Sequence, residues 1–175
     1  KKLQQNKYNQ ALVLFNQAKQ IKPTSTSAVQ AIKQSKNERI QANILFKFEQ
    51  AQERIQQEDW SKALDKYNEI LLIDKSLLQA QIGRLKSTAR LTLSDQLNNY
   101  IDHPERLSSK NVYQQALLTK KDAMKIEHPG EKLLQQIKSI NQLMVKAKIP
   151  LIVTIESDNQ TMVTLYRSGE LGKFM

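Results

Sequence analysis

The chain has 175 residues, a formal net charge of +10, no cysteine, and four residues each of glycine and proline. The missing cysteines exclude disulfides, thiol chemistry and Cys-based metal sites, and four glycines leave little from which to build a phosphate-binding loop. No run approaches the roughly 18 consecutive apolar residues of a membrane-spanning helix, and apolar residues recur at helical spacing, so the chain reads as all-α apart from its C-terminal end.

Residues 3–21 place Leu3, Tyr8, Ala11, Leu12, Phe15, Ala18 and Ile21 on one face of a helix, which Pro23 stops. Ser27 and Gln30 have the form of a capping box for the next helix. That helix is predicted to run to Gln57 with the stripe Val29, Ile32, Ile40, Ile44, Phe48, Ala51 and Ile55. Asp59 offers a cap for a helix carrying Ala63, Leu64, Tyr67, Ile70 and Leu71, and Ser76 with Gln79 forms a second box. A second long helix follows, with Leu78, Ile82, Leu85, Ala89, Leu93, Leu97 and Tyr100 or Ile101 expected inward and His103-Pro104 as its end. Residues 107–110 read as a loop with a Ser cap, before a helix carrying Tyr113, Ala116, Leu117, Ala123, Met124 and Ile126. A last helix is predicted from Glu131 to about Lys148, with Leu133, Leu134, Ile137, Ile140 or Asn141, and Met144 inward. Beyond Pro150 the period changes to 2: residues 151–156 and 161–167 are β-branched and alternating, with turn chemistry at 157–160. The expected organisation is a helical domain over 1–149 and a β-hairpin over 150–175.

Three short helices share a register. Residues 8–23 (YNQALVLFNQAKQIKP), 60–75 (WSKALDKYNEILLIDK) and 113–128 (YQQALLTKKDAMKIEH) align at spacings of 52 and 53 residues, with Lys120 where the other copies have Phe15 and Tyr67. The positions Tyr8, Ala11, Phe15, Ala18 and Pro23, and Trp60, Ala63 and Tyr67, resemble the second helix of the tetratricopeptide repeat. The resemblance implies antiparallel helical hairpins, TPR-like, with overlong first helices, since the family period is about 34 residues. It also implies that first helices line a partner groove. The candidate partner-binding residues are therefore Lys36, Arg39, Asn43, Lys47, Gln50 and Arg54 on the first long helix, and Arg84, Lys86 and Arg90 on the second. The run VTIESDNQTMVTLYRSGELGKF is similar to the start of a PEGA-like β domain of bacterial envelope proteins. That resemblance implies an envelope-facing scaffold, anchored in the inner membrane or periplasmic.

The 27 basic residues, six of them Arg, are scattered singly or in pairs without interleaved aromatics, which argues for a solvated basic surface and against a nucleic-acid partner. His103 and His128 each follow an acidic residue and precede Pro, but they are far apart and lack ligand spacing, and Pro with an acidic neighbour is ordinary helix-start chemistry. No nucleophile, zinc or nucleotide motif is present, so no catalytic residue, metal or cofactor is expected. Trp60 is expected in the packing between helices rather than at a binding hot spot. The sequence begins at Lys1 and ends at Met175 within patterned runs, so both ends are expected to be cut points of a longer protein, with any membrane contact through an anchor outside it. The expected function is a non-catalytic protein-protein interaction scaffold with possible self-association through the unpaired edge of the C-terminal hairpin. The alternatives are a basic module for an anionic polymer (nucleic acid, wall polymer or lipid headgroups) and a regulatory segment of an enzyme encoded outside this stretch.

Overall fold

The computed structural model describes residues 2–149, with side chains from residue 7, and the backbone of two short strands. Over residues 2–149 the fold is all-α: α1 (Lys2–Ile21), α2 (Thr26–Gln56), α3 (Trp60–Ile73), α4 (Leu78–Asp102), α5 (Lys110–Met124) and α6 (Glu131–Lys146), with a 3-10 turn at Pro104–Ser108. The strands β1 (Val163–Leu165) and β2 (Gly169–Gly172) pair antiparallel. The strand expected at 151–156 and its turn lie outside the described residues.

Each helix packs on the next from α1 to α4, after which α4, α5 and α6 pack on one another. The helices form where the 3.6-residue stripe predicts, but their ends are chosen locally. Ser25, not Ser27, caps α2: its Oγ accepts the Ala28 N–H at 3.3 Å, while Ser27 Oγ lies 3.0 Å from Ser25 Oγ. At the start of α4 the expected Ser76–Gln79 box is replaced by an Asx turn, in which the Ser76 N–H and Oγ–H donate to Asp74 Oδ1 at 2.9 and 2.6 Å. Asp59 caps α3 as its position implies, accepting the Lys62 N–H at 3.2 Å. The stretch expected as a loop around Leu107 is the 3-10 turn, which inserts the Leu107 side chain into the core.

Among the described residues two apolar clusters join α2 to α6. Ile44 and Ala51 of α2, Tyr67, Ile70 and Leu71 of α3, and Ala80 of α4 form the first. Leu97, Leu107, Ala116, Ala123, Leu133, Ile140 and Met144 form the second, across α4, α5 and α6. The repeat's central Ala is fully buried at Ala63 and Ala116, where helices approach too closely for a larger side chain.

α4 departs from its predicted orientation over its first half. The buried residues there are Ala80, Gly83 and Ser87, and the large ones, Leu78, Ile82 and Leu85, face outward. The cause is Tyr67: a Cβ placed on Gly83 would fall 2.3 Å from the Tyr67 ring. The small face lets α4 settle against α3 with the ring between them, which turns the bulky face away. Only from Leu93 onward does the predicted stripe turn inward, with Leu97 fully buried. Leu134 of α6, also expected inward, is exposed, as is Met124.

Candidate interaction surface

The outward face of α4 and the adjoining face of α3 enclose a groove of ≈ 770 Å³. Leu72 of α3 (82% exposed) and Leu78 and Leu85 of α4 (66% and 73%) stand on its walls, and buried Leu71 forms its base. Ile82 completes the apolar lining, while Asn68, Gln81, Lys75 and Arg84 supply polar edges. Covering the three exposed leucines would be worth roughly 4–6 kcal/mol of apolar burial. On the other flank of α4 lies a cleft of ≈ 890 Å³ between the C-terminal end of α2 and the α5–α6 turn, where Gln52, Ile55, Lys86 and His128 face one another.

A charged hub fixes the walls of this second cleft. Glu58 follows α2 in the left-handed conformation, φ 51, and closes a Schellman motif: its N–H donates to the Ile55 carbonyl at 3.0 Å and the Asp59 N–H to the Arg54 carbonyl at 2.9 Å. Glycine is the usual residue at such a position. Here the glutamate carboxylate crosses to the start of α6 and accepts the N–H groups of Lys132 at 2.6 Å and Leu133 at 3.3 Å, an N-cap supplied from 74 and 75 residues away. Gly130 permits the approach, because a Cβ there would lie 2.1 Å from the carboxyl carbon. Arg90 of α4 reaches the same carboxylate at 3.5 Å, and its guanidinium lies 4.7 Å from the Trp60 ring centroid. Both side chains are largely buried, Glu58 10% and Arg90 15% exposed, and burial lowers the Arg90 pKa against the supporting charge of Glu58. Gln136 of α6 adds a tie to α4, its Nε2 donating to Asn98 Oδ1 at 2.7 Å and Ser94 Oγ at 3.0 Å.

Of the residues singled out on the long helices, several are engaged within the chain. Arg39 donates to Asn9 Oδ1 of α1 at 3.1 Å, Lys47 pairs with Glu69 of α3, and Arg54 donates to Gln57 Oε1 at 3.1 Å. Arg90 belongs to the hub just described. Lys36, Arg84 and Lys86 are exposed, and Asn43 and Gln50 half-buried. Arg84 and Lys86 border the two concavities beside α4, whereas the α2 residues lie along a helix flanked by α1 and α3. Trp60, expected in the packing between helices, is partly buried at the start of α3 and lines the second cleft with Arg90 on its face. A second contact of this kind places Lys148 5.4 Å over the Tyr113 ring, at the equivalent position of α5. Sequence reading missed Glu58 and the exposed leucines. The cue to Glu58 was its place where a helix-ending glycine is usual.

Two lysines hold the Glu69 carboxylate, Lys47 from α2 and Lys66 at 2.6 Å from its own helix, and their hydrogen bonds keep its pKa below the ordinary value. His103 lies 3.8 Å from Glu105 on the exposed turn after α4, and His128 sits in the α5–α6 turn. Among the described residues no group of three His, Cys, Asp or Glu is placed to hold a metal ion, and no helix is long and apolar enough to cross a membrane. In comparisons with known proteins, no family model matches the chain, and no curated protein and no solved structure matches it.

Proposed function

We propose that this chain is a non-catalytic protein-protein interaction scaffold that presents the outward face of α4, with α3 beside it, to another protein. The observation that carries the reading is the exposure of Leu72, Leu78 and Leu85 around one groove while Ala80, Gly83 and Ser87 make the intramolecular contact. Apolar side chains gathered around a concavity with polar edges are the usual form of a docking surface. The hub of Glu58, Arg90 and Trp60 supports it by fixing α4 against the ends of α2 and α6, so the face is held rigid before a partner arrives.

The finer readings go with this proposal. The recurring aromatic, the Ala three residues on that is buried in α3 and α5, and the cation over the ring in those same two copies support a TPR-like repeat with overlong helices. The likeness of the C-terminal run to a PEGA-like domain supports placement in a bacterial envelope and a role within a larger protein.

The test is site-specific crosslinking. A photoreactive benzophenone residue placed at Leu85 in the producing cells yields a discrete adduct with another protein. The same residue at exposed Asp122 of α5 does not. Equal or absent adducts at the two sites overturn the reading. If crosslinking at Leu85 is instead replaced by binding to an anionic polymer that weakens steeply with salt, the basic-module alternative takes its place.

A further inference from the structure

We infer that the groove between α3 and α4 receives an acidic amphipathic helix from another protein. This rests on the scaffold reading and adds to it the chemistry of the partner.

The shape selects a helix. Leu78, Ile82 and Leu85 stand at i, i+4 and i+7 along α4, about 10 Å of one helix face at 1.5 Å per residue. Leu72 rises opposite them and Leu71 closes the base. A groove between two helices accepts the ridge of a third by side-chain interdigitation. A β-strand partner would need a sheet edge to pair with, and both walls here are helical, while a polyproline-type segment docks on aromatic side chains, which the lining lacks. A flat bilayer would touch the rims, Leu72 and Leu85, without reaching the base at Leu71.

The charges select an acidic helix. Lys75 and Arg84 border the groove, and neither is within ion-pair distance of an acid among the described residues. Of the acids nearest on α3 and its C-terminal cap, Glu69 is held by Lys47 and Lys66, while Asp74, ionised and bonded to Ser76, stands beside Lys75 without pairing with it, which leaves Arg84 as the cation with no acid beside it in the lining. Asp65 lies outside the groove lining. A partner with apolar residues at helical spacing and carboxylates on its flanks would bury the leucines and meet both cations. A second copy of this chain would bring its own net charge of +10 against them.

Fluorescence anisotropy on the full 175-residue chain tests this. The probes are labelled helical peptides with leucines at i, i+4 and i+7, flanked by glutamates in one set and lysines in the other. The expected result is binding of the glutamate set, weakened on the order of tenfold or more by Leu85→Ser, and a reversed preference with Lys75→Glu/Arg84→Glu. Leu85 and both cations are surface residues, so an unchanged thermal transition accompanies each variant. Equal binding of both sets with Leu85 dependence overturns the acidic assignment and leaves the scaffold reading standing. Binding of neither set overturns the helix-in-groove inference, while crosslinking at Leu85 decides the scaffold reading separately. A Leu85-dependent dimer in sedimentation, or Leu85-dependent binding to phosphatidylglycerol vesicles, overturns it in favour of a second copy or a lipid surface.

Discussion

Replacing Glu58 tests how the helices around α4 are held together. The residue occupies a backbone conformation that costs an L-amino acid about 1 kcal/mol, and its carboxylate offsets that cost by capping α6 and facing Arg90. Glu58→Ala keeps the backbone strain, removes a cap of about 1 kcal/mol and leaves a buried guanidinium without its counter-charge, for a total loss of about 2–4 kcal/mol. Glu58→Gln retains an acceptor and should lose only about 1 kcal/mol, the charged share of the interaction with Arg90 and the α6 dipole. Glu58→Gly is the decisive variant. It relieves the φ 51 strain yet still loses the cap, so a net loss of about 1–3 kcal/mol is expected. Urea denaturation followed by far-UV circular dichroism, and by the fluorescence of Trp60 beside Arg90, reports both global stability and the state of the hub. A loss under about 0.5 kcal/mol for the alanine variant, or a neutral or stabilising glycine, would refute the reasoning. The coupling of Glu58→Ala with Arg90→Ala should exceed about 0.5 kcal/mol in a double-mutant cycle.

Gly83→Ala should destabilise by about 1–3 kcal/mol despite the better helix propensity of alanine, because the new methyl meets the Tyr67 ring; a thermal transition at or above that of the parent would contradict the packing. Ser87→Ala should stabilise by about 1 kcal/mol, since the Ser87 Oγ is buried with no hydrogen-bond partner among the described residues; lowered stability would show that the hydroxyl is satisfied in solution. Leu72→Ser and Leu85→Ser should each shift stability by less than about 0.5 kcal/mol, as both face solvent, and a larger loss would mean that the groove is closed in solution. Glu69 has a folded pKa depressed below 4.5 by Lys47 and Lys66, so its contribution is complete above that value and is lost as pH falls through the lower folded pKa. Because the carboxylate is 37% exposed the effect is small and weakened by salt; urea titrations below pH ~4.5 should show it in the parent and not in Glu69→Gln.

The sequence by itself determined that residues 2–149 are helical and where each helix lies, because an apolar residue every three or four positions, punctuated by Pro23, Asp59, Pro104 and Pro129-Gly130, is a local pattern with a local cause. It also aligned α1, α3 and α5 in one register, whose central Ala is buried in α3 and α5. The choice between Ser25 and Ser27 was beyond it, since two hydroxyls 3.0 Å apart offer the same chemistry and the turn after Pro23 selects one. Tertiary structure alone decided which face of α4 is covered. The periodicity marks an apolar stripe at Leu78, Ile82 and Leu85, yet the Tyr67 ring lies over Gly83, so the small face is buried and the apolar one is left exposed. It alone decided the role of Glu58 as well, because capping a helix 74 residues away depends on where the chain returns in space, which no local pattern encodes.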